Sequence, residues 1–80
     1  MDYIRRLTYI TDRTGAARST IYDWIGRGIW PPAISLGPRM AGWPESEIAS
    51  IITARTRGAS EDEVRSLVAG LVAARERKAA

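Results

Sequence analysis

Ten glycines and prolines cut the first 58 residues into short pieces: Gly15, Gly26, Gly28, Pro31, Pro32, Gly37, Pro38, Gly42, Pro44 and Gly58. Glycine ends a helix by taking a left-handed backbone that other residues avoid, and proline cannot continue one because it lacks the N–H. Each piece is therefore read as its own short element. Thr8 to Thr14 reads as a first helix, capped by Thr8 and stopped at Gly15, with Leu7 leading in and Ile10 turned inward. After the link Gly15-Ala16-Ala17-Arg18, Ser19 is placed to cap a second helix that runs to about Arg27 and stops at Gly28. Ile21, Trp24 and Ile25 share one face of it, while Ser19, Thr20, Asp23, Gly26 and Arg27 share the other with Tyr22 at the edge.

Trp30-Pro31-Pro32 forces an extended backbone. Beyond it, Ile34 and Leu36 alternate with Ser35, Gly37-Pro38-Arg39 supplies a turn, and Met40 to Trp43 returns as a second short strand. Pro44 suits the first turn of a third helix, with Glu45 and Glu47 near its positive end and an apolar stripe of Ile48, Ile51 and Ile52. That helix ends near Arg57-Gly58. Ser60 and Glu63 have the spacing of a capping box and open a fourth helix, whose Val64, Leu67, Val68, Leu71 and Val72 occupy one face. Helix, short turn, helix, hairpin, helix is the plan of a winged helix-turn-helix. The expected fold is mainly α, with a short two-stranded β-hairpin wing and an extra C-terminal helix. Residues 1–58 form the winged unit and 59–80 the amphipathic helix.

Eighty residues suffice for one small domain with a modest core. The chain has no Cys and no His, which removes disulfides, zinc-finger ligation, thiol nucleophiles and imidazole acid–base chemistry. Glu61, Asp62 and Glu63 stand at a helix start where capping explains them, and no nucleophile has a partnered base. No enzyme activity, cofactor, metal or small-molecule substrate is expected. The first thirteen residues lack the apolar centre of a secretory signal, and no apolar run is long enough to span a bilayer. A soluble cytoplasmic protein is expected.

Twelve basic side chains against nine acidic ones give a net charge of +3, yet the pI is near 10.0 because eleven of the cations are Arg. A basic helix-turn-helix suits DNA: an element of helical width carrying short donors fits the major groove. On that geometry Arg18, Ser19 and Thr20 stand at the N-terminus of the recognition helix, where free N–H groups favour a phosphate. Thr20, Asp23 and Arg27 face base edges, Tyr22 donates to a phosphate, and Arg39 at the hairpin tip is the wing contact. Several of these residues have a second reading. Ser19 serves either as a cap alone or as a contact, and Tyr22 either shields the helix edge or meets DNA. Asp23 either accepts from a cytosine amino group, pairs with a neighbouring Arg or is solvated. Arg5 and Arg6 either grip a flanking phosphate or are ordinary surface charge. Trp24, Trp30 and Trp43 sit beside aliphatics or proline and read as core or hinge.

The segment Thr14-Gly15-Ala16-Ala17-Arg18-Ser19-Thr20-Ile21-Tyr22 resembles the AlpA-type phage regulators, which belong with MerR-like winged helix-turn-helix proteins and small excisionases. The likeness continues through Gly28-Ile29-Trp30-Pro31, Ile34-Ser35-Leu36-Gly37-Pro38-Arg39, Gly42-Trp43 and Glu45-Ser46-Glu47-Ile48, covering about residues 4 to 57. It implies that Arg18, Ser19, Thr20 and Tyr22 form the DNA-reading edge, that Arg39 is the wing contact, and that Trp43 and Ile48 are core. It further implies specific double-stranded DNA as partner, at the nucleoid of a bacterium carrying a prophage or integrative element. The role is transcriptional regulation, or excision as a recombination directionality factor assembled at attachment-site DNA. Family members often carry glutamate where Tyr9 stands, proline where Ala33 stands, and basic residues where Ser35 and Asp23 stand. One such domain presents a small interface, so useful affinity calls for two or more copies on DNA.

The C-terminal helix lies outside the resemblance. Its stripe, Val64, Leu67, Val68, Leu71 and Val72, either packs on its own domain or forms an oligomerisation face. An integrase or the transcription machinery is a further partner under the regulatory readings. The rival from another class is a protein-interaction module that uses this stripe on a larger partner. Arg75, Arg77 and Lys78 form either a helix end favoured by its dipole or a phosphate-binding tail.

Overall fold

A computed structural model describes residues 2–79, with side chains through Glu76. Strand β1 (Ile4–Arg5) is followed by helices α1 (Leu7–Thr14) and α2 (Arg18–Gly26), strands β2 (Ile34–Gly37) and β3 (Met40–Pro44), and helices α3 (Glu45–Thr56) and α4 (Glu61–Ala79). The winged helix-turn-helix plan with an added C-terminal helix is present. Gly15 closes α1 in a left-handed conformation (φ 74°), with its N–H donating to the Thr11 carbonyl at 2.8 Å. The capping box at the start of α4 is made in full: Ser60 N–H donates to Glu63 Oε1 at 3.2 Å, and Glu63 N–H to Ser60 Oγ at 3.1 Å.

Two expected caps are displaced. Arg6 and Ala17 already hold the extended backbone that precedes a helix (φ −84°, ψ 170° and φ −73°, ψ 160°), so the caps of α1 and α2 each fall two residues before the expected ones. Thr8 and Ser19 lie inside the helices, and neither N-terminus has a side-chain cap.

The hairpin is also joined by a third strand. The sheet order is β1-β3-β2, antiparallel, with Ile4 opposite Pro44, Arg5 opposite Trp43 and Ile34 opposite Gly42. Gly42 permits it: a Cβ there would stand 2.7 Å from both the Arg5 carbonyl oxygen and Ile4 Cγ2. The N-terminal segment then caps α3, whose own N-cap, Pro44, has no side-chain donor or acceptor to offer. Glu45 N–H donates to the Tyr3 carbonyl at 2.7 Å, and Asp2 accepts from Ser46 N–H at 3.0 Å and from Ser46 Oγ at 2.6 Å.

One core unites the elements: Ile10, Ile21, Ile29, Trp30, Trp43, Ile48, Ile51, Val64 and Val68, each at most 5% exposed. Trp43 sets its indole N–H on the Pro31 carbonyl at 2.7 Å, which ties the wing to the link before it. Trp24 is half-buried, with its ring 5.9 Å from that of Trp30. The α4 stripe turns inward: Val64 and Val68 are core, and Leu67, Leu71 and Val72 pack half-buried against it. Among the described residues no helix is long and apolar enough to cross a membrane.

Candidate nucleic-acid interface

The fold leaves an open groove of about 580 Å³ between the N-terminal ends of α1 and α2 on one side and the wing on the other. Arg6 and Thr8 line it at the start of α1, Arg18 and Tyr22 from α2, and Ser35, Arg39 and Met40 from the wing. Both helices reach it without a side-chain cap. Arg6, Leu7 and Thr8 at the start of α1 and Arg18 at the start of α2 border the same space, and the partial positive charge of a helix N-terminus suits an anion. Tyr22 is 59% exposed at its edge. Ala17 caps α2 through its backbone alone, accepting from Ile21 N–H at 3.1 Å.

Charge separates this groove from the rest of the surface more sharply than net charge does. Of the ten arginines whose side chains are described, five are ion-paired: Arg5, Arg13, Arg27, Arg65 and Arg75. The other five are Arg6, Arg18, Arg39, Arg55 and Arg57, and three of them (Arg6, Arg18 and Arg39) line the groove. Among the described residues no Asp or Glu lines it. Three unpaired cations are thus gathered beside the starts of two helices, and a polyanion meeting them displaces no ion-pair partner among the described residues.

Other candidates are committed elsewhere. Arg5 donates to Glu45 Oε2 at 3.1 Å and lies over the rings of Tyr3 and Tyr9, at 5.2 and 4.6 Å from their centroids. Glu45 also accepts from the Tyr9 hydroxyl at 2.9 Å and from Arg13 at 3.2 Å. Burial would raise the Glu45 carboxyl, but the hydrogen bonds from Tyr9, Arg5 and Arg13 prevail and hold it below the ordinary carboxylate value. At the far end of α2, Arg27 pairs with Asp23 at 3.5 Å and with Glu61 of α4, and neither Asp23 nor Arg27 lines the groove. Ser19 is exposed on the first turn of α2 and Thr20 is half-buried there, both outside the groove lining.

Sequence reasoning passed over Ser35, Thr8 and Met40 as lining residues. For Ser35 a signal was present: strand alternation sets it on the opposite face from Ile34 and Leu36. Arg75 of α4 donates to both carboxylate oxygens of Glu47, at 2.9 and 2.7 Å, a pairing that had no local signal. The side chains of Arg77 and Lys78, read with Arg75 as either a helix end favoured by its dipole or a phosphate-binding tail, lie outside the described residues.

The profile of a family described as "Prophage CP4-57 regulatory protein (AlpA)" matches residues 4–56. A protein of Enterobacteria phage P4, "Uncharacterized protein ORF88", is 36% identical over 53 residues, which cover 66% of this chain and 60% of the phage protein. The "DNA-binding transcriptional activator AlpA" of Escherichia coli K12 is 35% identical over 60 residues, covering 68% of this chain and 86% of that protein. No solved structure matches the chain significantly.

Proposed function

The chain belongs to the AlpA family of prophage regulatory proteins, and from that membership together with the groove we propose that it binds specific double-stranded DNA for a prophage or integrative element. The observation that carries this reading is the meeting of Arg6, Arg18 and Arg39, all without ion pairs, with two uncapped helix N-termini in one groove free of carboxylates. In the proposed complex α2 enters the major groove with Ser19 and Thr20 toward base edges, and Arg18 and Tyr22 meet the flanking phosphates. Arg39 brings the wing to the adjacent backbone and Arg6 holds a phosphate beside α1. Arg5, Asp23 and Arg27 support the fold around this surface.

Transcriptional regulation is the primary role proposed, supported by the similarity to an activator; excision at attachment sites uses the same surface. Because one domain offers a small interface, two or more copies bind neighbouring sites. The reading in which the Val64 to Val72 stripe captures a larger partner has little support, since that stripe is packed against the core.

Sheared DNA from the source genome, incubated with the protein at about physiological salt with competitor and then sequenced, tests the proposal. Discrete peaks are expected. Peaks at a promoter assign regulation, and peaks across an attachment region beside an integrase gene assign excision. Uniform background from folded protein would overturn the reading.

A further inference from the structure

The recognition helix and the wing are joined by the link 27–33, and both ends of that link are held by α4. Arg65 Nε donates to the Arg27 carbonyl at 3.1 Å, where α2 ends. Ten positions along the same helix, Arg75 Nη2 donates to the Pro32 carbonyl at 3.0 Å, just before β2 begins. Ten helical positions span about 15 Å, so α4 sets a fixed distance between the two grips. Each grip is itself anchored. Glu61 of α4 pairs with the Arg27 side chain, and Arg75 forms a fork on Glu47 of α3 at 2.9 and 2.7 Å. Glu47 is only 4% exposed, so this fork is hard to displace. Among the described residues none lining the groove belongs to α4, and the family match stops at residue 56 before α4 begins.

We infer that α4 is a brace that fixes the wing relative to the recognition helix, with Arg75 and Arg65 as positioning residues for DNA binding that touch no DNA. This rests on the reading of the groove as the DNA site. Without the grips, the link keeps its covalent path and the Trp43 bond to Pro31, but the separation between Arg18 and Arg39 is no longer held to one value. A wing free to shift loses its contact while α2 keeps its own.

The test is a double-mutant comparison on the full chain, using a DNA site retained by the wild type. Arg75→Lys keeps a cation opposite Glu47 but not the planar fork that also reaches Pro32. It is expected to weaken binding about tenfold, the size of one lost guanidinium contact. In an Arg39→Ala background the same change should have almost no further effect, whereas in an Arg18→Ala background the tenfold loss should persist. Glu47→Gln with Arg75→Gln removes both charges and the grip together, and is expected to repeat the pattern even if Arg75→Lys folds poorly. Equal losses in both backgrounds, or unchanged affinity in the folded variants, would overturn the brace. Wild-type protein that retains no DNA would instead overturn the groove reading on which it rests.

Discussion

Arg39 stands at the wing tip with φ 60°, the one described non-glycine residue with positive φ. A left-handed backbone costs an ordinary residue about 1 to 2 kcal/mol, and strain of that kind gathers where a side chain has work at a site. Arg39→Gly should therefore leave the unfolding midpoint within a few degrees of wild type while weakening DNA binding by about 1 to 3 kcal/mol. Arg18→Ala should cost about the same in affinity and little in stability, because Arg18 is exposed and has no ion pair. Filter binding across a salt series checks both, and each lost phosphate contact should reduce the salt slope by about one. Ser35 lines the groove together with Arg18 and Arg39, so Ser35→Lys should tighten binding and steepen that slope by about one. Unchanged affinity in that variant would place DNA off this side of the wing. At this scale spacing placed Arg18 and Tyr22 on the second helix and Arg39 at the hairpin tip, and all three line the groove. The caps were not legible at Thr8 and Ser19, because a capping residue must also hold extended backbone, and Arg6 and Ala17 took that conformation first.

Between elements, the ties are mostly carboxylates joining segments far apart in sequence. Glu45 at the head of α3 holds Arg5 of β1 and Tyr9 and Arg13 of α1. Its carboxyl titrates below the ordinary value when folded, so its contribution to stability is complete above the unfolded value of about 4.3 and is lost as pH falls through the lower folded value. Urea midpoints measured from pH 7 down to about 2 should fall in that acid range, and Glu45→Gln should fall less. An equal fall in the two proteins would mean that Glu45 is not linked to folding. The same network explains why β1 escaped the sequence reading. Two residues carry no alternation, and their pairing depends on Gly42 nearly forty positions away. The hairpin announced itself through its turn, whereas β1 is defined only by where β3 lies.

Across the molecule, a net charge of +3 conceals an uneven distribution. Ion pairs neutralise the flanks at α2–α4 and α3–α4, and three of the five described arginines left over, Arg6, Arg18 and Arg39, line the groove. The same packing makes α4 part of the fold. Val64 is fully buried and Val68 nearly so, and Val64→Ala should lower stability by about 2 kcal/mol, read from denaturant unfolding. Removing residues after Gly58 should leave a chain without a cooperative transition; a sharp transition in that fragment would show that the winged unit folds alone. Local chemistry in the sequence determined the order of helices, the left-handed stop at Gly15, the capping box at Ser60 and Glu63, and the inward faces around Ile21 and Val64. Those signals act through neighbours three or four residues apart, or through the backbone preference of one residue. Only the tertiary structure decided which arginines stay unpaired, that a third strand covers β3, and that α4 grips both ends of the link to the wing. Those features rest mainly on contacts between residues 28 to 44 apart, such as Arg75 with Glu47 and Ser46 with Asp2. Pairing at such range follows from how the core packs, which no local spacing encodes.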